Sequence, residues 1–161
     1  MEIIADVESL EKMGRCGGLG PLSELFGNPT WLIAPQAFRE SKKSGMNAEL
    51  FSNYHIHSPK LHYKERELIR RWRRKFPHLS KKEIEAIAIA KCRNITYFAY
   101  ESHSSRVCKE MAAKYMNLPM ALKALWAKQL LTKKEVWEII NKLDKKEKIT
   151  FDKVELIFSQ G

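Results

Sequence analysis

The strongest constraint on the fold is a series of short apolar runs, each followed by a stretch with helical spacing. Glu2–Asp6 has the pattern of a buried strand that ends on a carboxylate. Thr30–Ala34 is a second strand, and Pro35 stands at the first position of the helix after it, where a missing N–H costs nothing. Tyr54–His57 is a weaker third strand, Ile95–Tyr100 a fourth and Leu118–Met120 a short fifth. Between them lie helical segments. Leu10–Met13 and Pro21–Phe26 flank a glycine-rich stretch over 14–20 that reads as a hinge; the charged Leu61–Phe76 is closed by Pro77; Ser80–Cys92 and His103–Met116 follow. Strands that alternate with helices predict a parallel sheet covered on both faces, with right-handed crossovers. The expectation is a three-layer α/β/α fold with a central parallel sheet of four or five strands. Segments 121–129, 133–143 and 151–158 read as amphipathic helices, so that about 121–161 forms an extension packed on a single domain spanning 1–161.

A chain of 161 residues with 44% hydrophobic side chains can bury a proper core without disulfide or metal staples. Its three cysteines, Cys16, Cys92 and Cys108, form no CxxC pair and leave an odd thiol, which suits a reducing cytoplasm. No apolar run approaches the ~20 residues of a membrane-spanning helix, and no secretory signal is visible, so the expected location is cytoplasmic. The net charge of +10 is concentrated: between Lys60 and Lys91 eleven Lys or Arg stand against four Glu. Such a block favours a polyanionic partner, because each neutralised phosphate releases counterions. Arg70, Arg71, Arg73, Arg74 and Lys75 are its densest part. Trp72 among them has two readings, a platform on which a base stacks or the core side of an amphipathic helix.

In parallel α/β sheets ligands bind outside the carboxyl ends of the strands, where the strand order reverses. Asp6 ends the first strand, Glu101 follows the fourth, Glu40 lies in the helix after the second and Glu83 begins the helix that leads into the fourth. These acids can converge on one sheet edge, and all-oxygen clusters suit Mg²⁺ or Mn²⁺. Each also has a purely structural reading. Ser80–Glu83 is a capping-box pattern, Asp6 can cap the next helix, Glu40 can be an exposed helix residue, and Glu101 can favour a helix N-terminus through the dipole.

Ile3–Leu10, Leu22–Gly27 and Leu32–Glu40 together resemble the opening of PIN-domain proteins, in particular the VapC-like prokaryotic branch. Lys82–Ala90 is similar to that family's acidic position followed by an Ile-Ala-rich helix. Tyr97–Glu101 with Arg106 and Ala112-Ala113 is similar to the strand, acidic pair and Arg-bearing helix that come next. Segments 121–129 and 132–143 resemble the C-terminal helices of the branch. The resemblance implies a PIN-like fold and a metal-dependent endoribonuclease that hydrolyses RNA phosphodiester bonds, commonly the toxin of a toxin–antitoxin pair. Asp6, Glu40, Glu83 and Glu101 match the catalytic acids, with Asp6, Glu83 and Glu101 as ligands of Mg²⁺ or Mn²⁺. The basic helix and Arg106 would hold the RNA, single-stranded or structured. Two positions depart from the pattern: Tyr100-Glu101 stands where the family has Asp-Asp, and Glu8 where it has a small polar residue. The alternative is a catalytically weak or inactive PIN-like module that binds nucleic acid or protein.

Other constellations are weaker. His55 and His57 would share one face of a strand, and with Cys92, Cys108 or His103 they could form a zinc site, although the spacing is no recognised zinc pattern. Gly17–Gly20 lacks the Lys-Ser/Thr of a phosphate loop. Trp126, Leu130, Trp137, Ile140 and Leu143 exceed what a small sheet needs, which predicts a helix-mediated homodimer, an antitoxin-binding groove, or ordinary core packing.

Overall fold

The computed structural model describes residues 1–43, 48–100 and 103–160. The chain begins with β1 (Glu2–Ala5), α1 (Val7–Arg15), α2 (Leu19–Leu25), β2 (Thr30–Leu32) and α3 (Pro35–Lys43). It continues through α4 (Ala48–Asn53), β3 (Ile56–His57), α5 (Tyr63–Lys75), α6 (Lys81–Arg93), β4 (Thr96–Ala99) and α7 (His103–Glu110). It ends with β5 (Tyr115–Asn117), α8 (Leu118–Ala127), α9 (Lys133–Glu147) and a short 3-10 helix (Val154–Phe158). The five strands form one sheet in the order β3-β2-β1-β4-β5, every pair parallel. The mixed α/β fold with a central parallel sheet is therefore as the alternation predicts.

β1 is the centre of this order. Ile3 pairs with Trp31 on one side and Thr96 on the other, and Ile4 with Leu32 and Tyr97. Ile3, Ile4, Trp31 and Phe98 are all at most 1% exposed, as strands covered on both faces require. The order reverses between β1 and β4, so with right-handed crossovers the connections leaving these two strands cover opposite faces. α6 packs against β1 and β4 and carries α5 on its flank, while α1, α2, α8 and α9 form a second helical group.

Several elements differ from the sequence reading. The fifth strand is Tyr115–Asn117, and Leu118–Met120 instead opens α8: the Asn117 side chain accepts from the Met120 N–H, and Pro119 fills the first turn. This shortens α7 to His103–Glu110. The 14–20 segment is a packed junction rather than an open hinge. Gly17 has φ +75°, and a Cβ on Gly18 would lie 2.6 Å from Met13 Cε. Val154–Phe158 is a 3-10 turn, not a full amphipathic helix. Trp72 is buried edge-on against Phe76, so it belongs to the core and offers no stacking platform. The apolar surplus of the C-terminal helices is largely satisfied within the chain. Leu143 and Ile140 are buried, while Trp126 and Trp137 both pack on Phe158 at 5.6 Å.

α5 and α6 are locked together by a buried ion pair. The Glu65 side chain is fully buried and accepts from the Arg93 guanidinium at 2.6 and 3.2 Å, and it also accepts from the His62 N–H at 2.7 Å to cap α5. Arg93 completes the lock by donating to the Lys60 carbonyl at 3.0 Å. α6 then ends at Asn94, whose φ of 54° allows the tight turn into β4. Removing one partner of a buried pair strands the other charge. Arg93→Met should therefore cost about 3 kcal/mol in urea unfolding, whereas the double change Glu65→Met/Arg93→Met should recover most of that loss.

Candidate functional site

The carboxyl ends of β1 and β4 meet at Asp6. Its backbone N–H still donates to the Phe98 carbonyl at 2.9 Å, which continues the sheet ladder, and its side chain caps α1. Asp6 Oδ2 accepts from both the N–H and the hydroxyl of Ser9, at 3.3 and 2.9 Å. The Ser9 hydroxyl in turn accepts from the Tyr100 N–H at 2.8 Å, so one fully buried serine ties the end of β1 to the end of β4. The capping reading of Asp6 is thus realised, and it orients the carboxylate at the switch point.

Glu83 is also a capping residue. Its Oε2 accepts from the Ser80 N–H at 2.7 Å, and its Oε1 accepts from the buried Ser104 hydroxyl at 3.5 Å. Asp6 and Glu83 nevertheless line one cleft of about 270 Å³ with Glu8, Lys82, Tyr97, Tyr100 and Ser104. A second cleft of about 240 Å³ is lined by Asp6, Glu8, Glu11, Glu40 and Lys82, among others. Asp6, Glu8 and Lys82 belong to both. Glu101 lies outside the described residues. Tyr100 borders the site: its hydroxyl donates to Glu8 Oε2 at 3.3 Å and its ring lies 4.0 Å under the Lys12 ammonium.

Lys82 is the residue that sequence reasoning missed. Its ammonium stands 3.9 Å from Glu8 Oε1 and 3.5 Å from Glu40 Oε2. It was counted only as part of the basic block, because nothing in a linear sequence separates a lysine facing solvent from one facing acids. Burial pulls its pKa down, but Glu40, Glu8 and Asp6 outweigh that and hold it above the ordinary value. Glu40 is held below the usual carboxylate range by a hydrogen bond from Gln36, with Lys82 adding to it. Asp6 behaves oppositely. Burial raises its pKa, and Glu8 adds to the rise, against the hydrogen bonds from Ser9 and the charge of Lys82.

The donor chemistry fits a small hard cation. The oxygens of Asp6 and Glu83 share a cleft, and Mg²⁺ is commonly held by one or two carboxylates with water completing its shell. Among the described residues no group of three or more His, Cys, Asp or Glu forms a ready-made cage. Nor do the described residues form a zinc site: His55 and His57 are exposed, Cys16, Cys92 and Cys108 are free thiols, and the His103 side chain lies outside those described.

A basic cleft of about 510 Å³ lies on the other side of the α3–α6 contact. Its charged lining is Arg39, Arg66, Arg70, Arg73, Arg74 and Lys81, with one acid, Glu85. Glu85 is buried and caps α3 by accepting from the Gln36 N–H at 2.8 Å. Of the cations singled out from sequence, Arg70, Arg73 and Arg74 line this cleft. Arg71 is exposed outside its lining, Lys75 pairs with Glu110 at 3.4 Å, and Arg106 is exposed on α7. Arg39 was not anticipated, since it comes from a different helix.

No family model matches the sequence, and no curated protein matches it. Among solved structures, a PilT N-terminus domain protein from the hyperthermophilic archaeon Sulfolobus solfataricus is similar over 78% of this chain and 95% of that one. The identity is 17% and the TM-score 0.46. Among the described residues no helix is long and apolar enough to cross a membrane.

Since the folded chain holds the Asp6 proton more tightly than the unfolded chain does, this group favours folding at low pH, and the benefit is withdrawn as pH rises from the ordinary carboxyl value through the native one. Asp6→Asn, a neutral residue that still caps a helix, should therefore raise Tm by a few degrees at pH 7 and leave it nearly unchanged at pH 3. Ser9→Ala should push the Asp6 pKa higher still in an NMR titration and cost about 1 kcal/mol, because the part-buried Tyr100 N–H loses its bond to the Ser9 hydroxyl.

Proposed function

We propose that this chain is a metal-dependent ribonuclease of PIN type, which holds RNA in the basic cleft and hydrolyses it at the adjoining carboxylates. The observation that carries this reading is the arrangement of two pairs of consecutive residues. Arg39 and Lys81 line the basic cleft, while their neighbours Glu40 and Lys82 line the acidic one. A polyanion bound along α5 is therefore brought within one residue's reach of Asp6 and its partners.

In this reading Asp6 and Glu83, with Glu101, hold Mg²⁺ or Mn²⁺. When bound, the ion supplies an activated water and neutralises the charge that develops on the phosphate. The chain's own side chains do the rest. Arg70, Arg73 and Arg74 hold backbone phosphates and fix the register without reading bases. Ser9 keeps the Asp6 carboxylate pointed at the switch point. Tyr100 walls the cleft, and Tyr100 and Lys12 both engage Glu8. The sequence resemblance supports the toxin role as well, and a small antitoxin or a second copy of the chain as a partner; co-purification of a small protein from the native host would bear this out.

A second reading, a nucleic-acid-binding module that cuts poorly, is favoured by one observation: Glu8 and Glu40 are already paired with Lys82. A single experiment separates the two. In a mixed RNA pool with Mn²⁺, Mg²⁺ or EDTA, the nuclease reading expects metal-dependent cutting that Asp6→Asn abolishes while RNA binding persists. Binding without cutting establishes the second reading. In either case Arg70→Gln/Arg73→Gln/Arg74→Gln should weaken binding and flatten the plot of log K against log salt by about 2, since each lost phosphate contact to a single strand removes about 0.7.

A further inference from the structure

Lysine in the first turn of a helix opposes the macrodipole, yet α6 begins with two, Lys81 and Lys82. Lys81 lines the basic cleft with five arginines, where a polyanion would compensate it. Lys82 is compensated within the fold. It is two-thirds buried, its ammonium stands between Glu8 and Glu40, and it lines both clefts that Asp6 lines. α9 also begins with two lysines, Lys133 and Lys134, so what sets Lys82 apart is its tertiary contact with Glu8 and Glu40 at the carboxyl ends of the strands.

We propose that Lys82 is the resident counter-ion of the carboxylate site: its ammonium holds the acids together in the absence of metal, and a divalent ion enters by displacing it. This rests on the metal-dependent reading above and goes beyond it by naming the residue that sets the site's affinity for the ion. Asp6, Glu8 and Glu40 line one cleft, so their charges repel, and a partly buried carboxylate such as Asp6 bears the largest cost. One ammonium offsets part of that repulsion without closing the site, because the lysine stem is long and can swing its head to water. The metal must then compete with a tethered cation. The exchange is one of charge only, so no bond is made or broken in the chain.

The same geometry explains how Glu8 is accommodated. A carboxylate where the resembled family has a small polar residue adds negative charge to the site, and Lys82 and the Tyr100 hydroxyl absorb it from two sides. Glu8 and Lys82 thus act as a pair rather than as an obstruction and an unrelated surface lysine.

The test is Mn²⁺ binding by isothermal titration and by electron paramagnetic resonance, with the full chain and no RNA. The proteins are the native chain, Lys82→Gln, Lys82→Arg, Lys81→Gln and Asp6→Asn, each checked for a single cooperative melting transition. Lys82→Gln should bind Mn²⁺ on the order of tenfold more tightly, as expected for removing one competing charge at this range in a partly screened site. Lys82→Arg and Lys81→Gln should bind like the native chain, the first because the charge is kept and the second because that lysine faces the other cleft. Equal affinity in Lys82→Gln and the native chain, with binding lost in Asp6→Asn, overturns the proposal and leaves the metal site standing. Equal tightening by Lys81→Gln also overturns it, since net charge alone would then suffice. Mn²⁺ binding in none of the proteins overturns the metal site itself, and the proposal with it.

Discussion

The buried pair between Glu65 and Arg93 is the interaction on which the functional surface depends. α5 carries Arg66, Arg70, Arg71, Arg73 and Arg74 on its exposed sides, and the pair sets where that basic face lies on α6. Glu65 has no exposure and meets Arg93 in a two-point contact, so the register between the helices is fixed as well as their proximity. Ile69 and Trp72 then bury the apolar stripe of α5 beside it. Because α6 also packs on β1 and β4, the pair indirectly fixes how the basic face of α5 sits relative to the carboxyl ends of the strands.

The acidic site is arranged at a cost to stability. Asp6 is a carboxylate whose burial works against its charge, and its cap to α1 offsets only part of this. Ser80 and Glu83 form a capping box whose first turn contains two lysines, so the cap and the dipole work against each other at the same few residues. α9 opens on the same pattern, Thr132 and Glu135 forming the box with Lys133 and Lys134 between them, and its last turn carries Lys145 and Lys146 as the dipole prefers. The two helices use one local device, and they differ in what surrounds the lysines: in α6 the second one, Lys82, stands between Glu8 and Glu40.

Much of the fold was legible because local rules and burial agree. Period and turn residues located β1, β2 and β4, and Pro35 marked the start of α3 to the residue. Where they conflicted the reading slipped. Leu118–Met120 looks like a strand by composition, but Asn117 and Pro119 make a stronger helix start, and the three residues before them pair with β4. Trp72 lies in the most basic stretch of the chain, yet helical spacing turns it inward. The same limit applies to the site. Asp6, Glu40 and Glu83 could be singled out because they fall at strand ends and helix starts, whereas Ser9, Lys82, Arg39 and Glu85 acquire their roles only from residues distant in sequence.

By itself the sequence determined the alternation of strands and helices, the parallel sheet and the segregation of positive charge, because each of these follows from spacing along a few consecutive turns or strands. The tertiary structure decided which charges meet. Side chains of adjacent residues, Arg39 and Glu40 or Lys81 and Lys82, are sent into different clefts by the 100° step of the helix, and a linear reading cannot tell which will face acids and which water. Whether a lysine belongs to a nucleic-acid surface or to a carboxylate site is fixed by long-range packing of α3 against α6, and it is that packing which gives Lys82 its place beside Asp6.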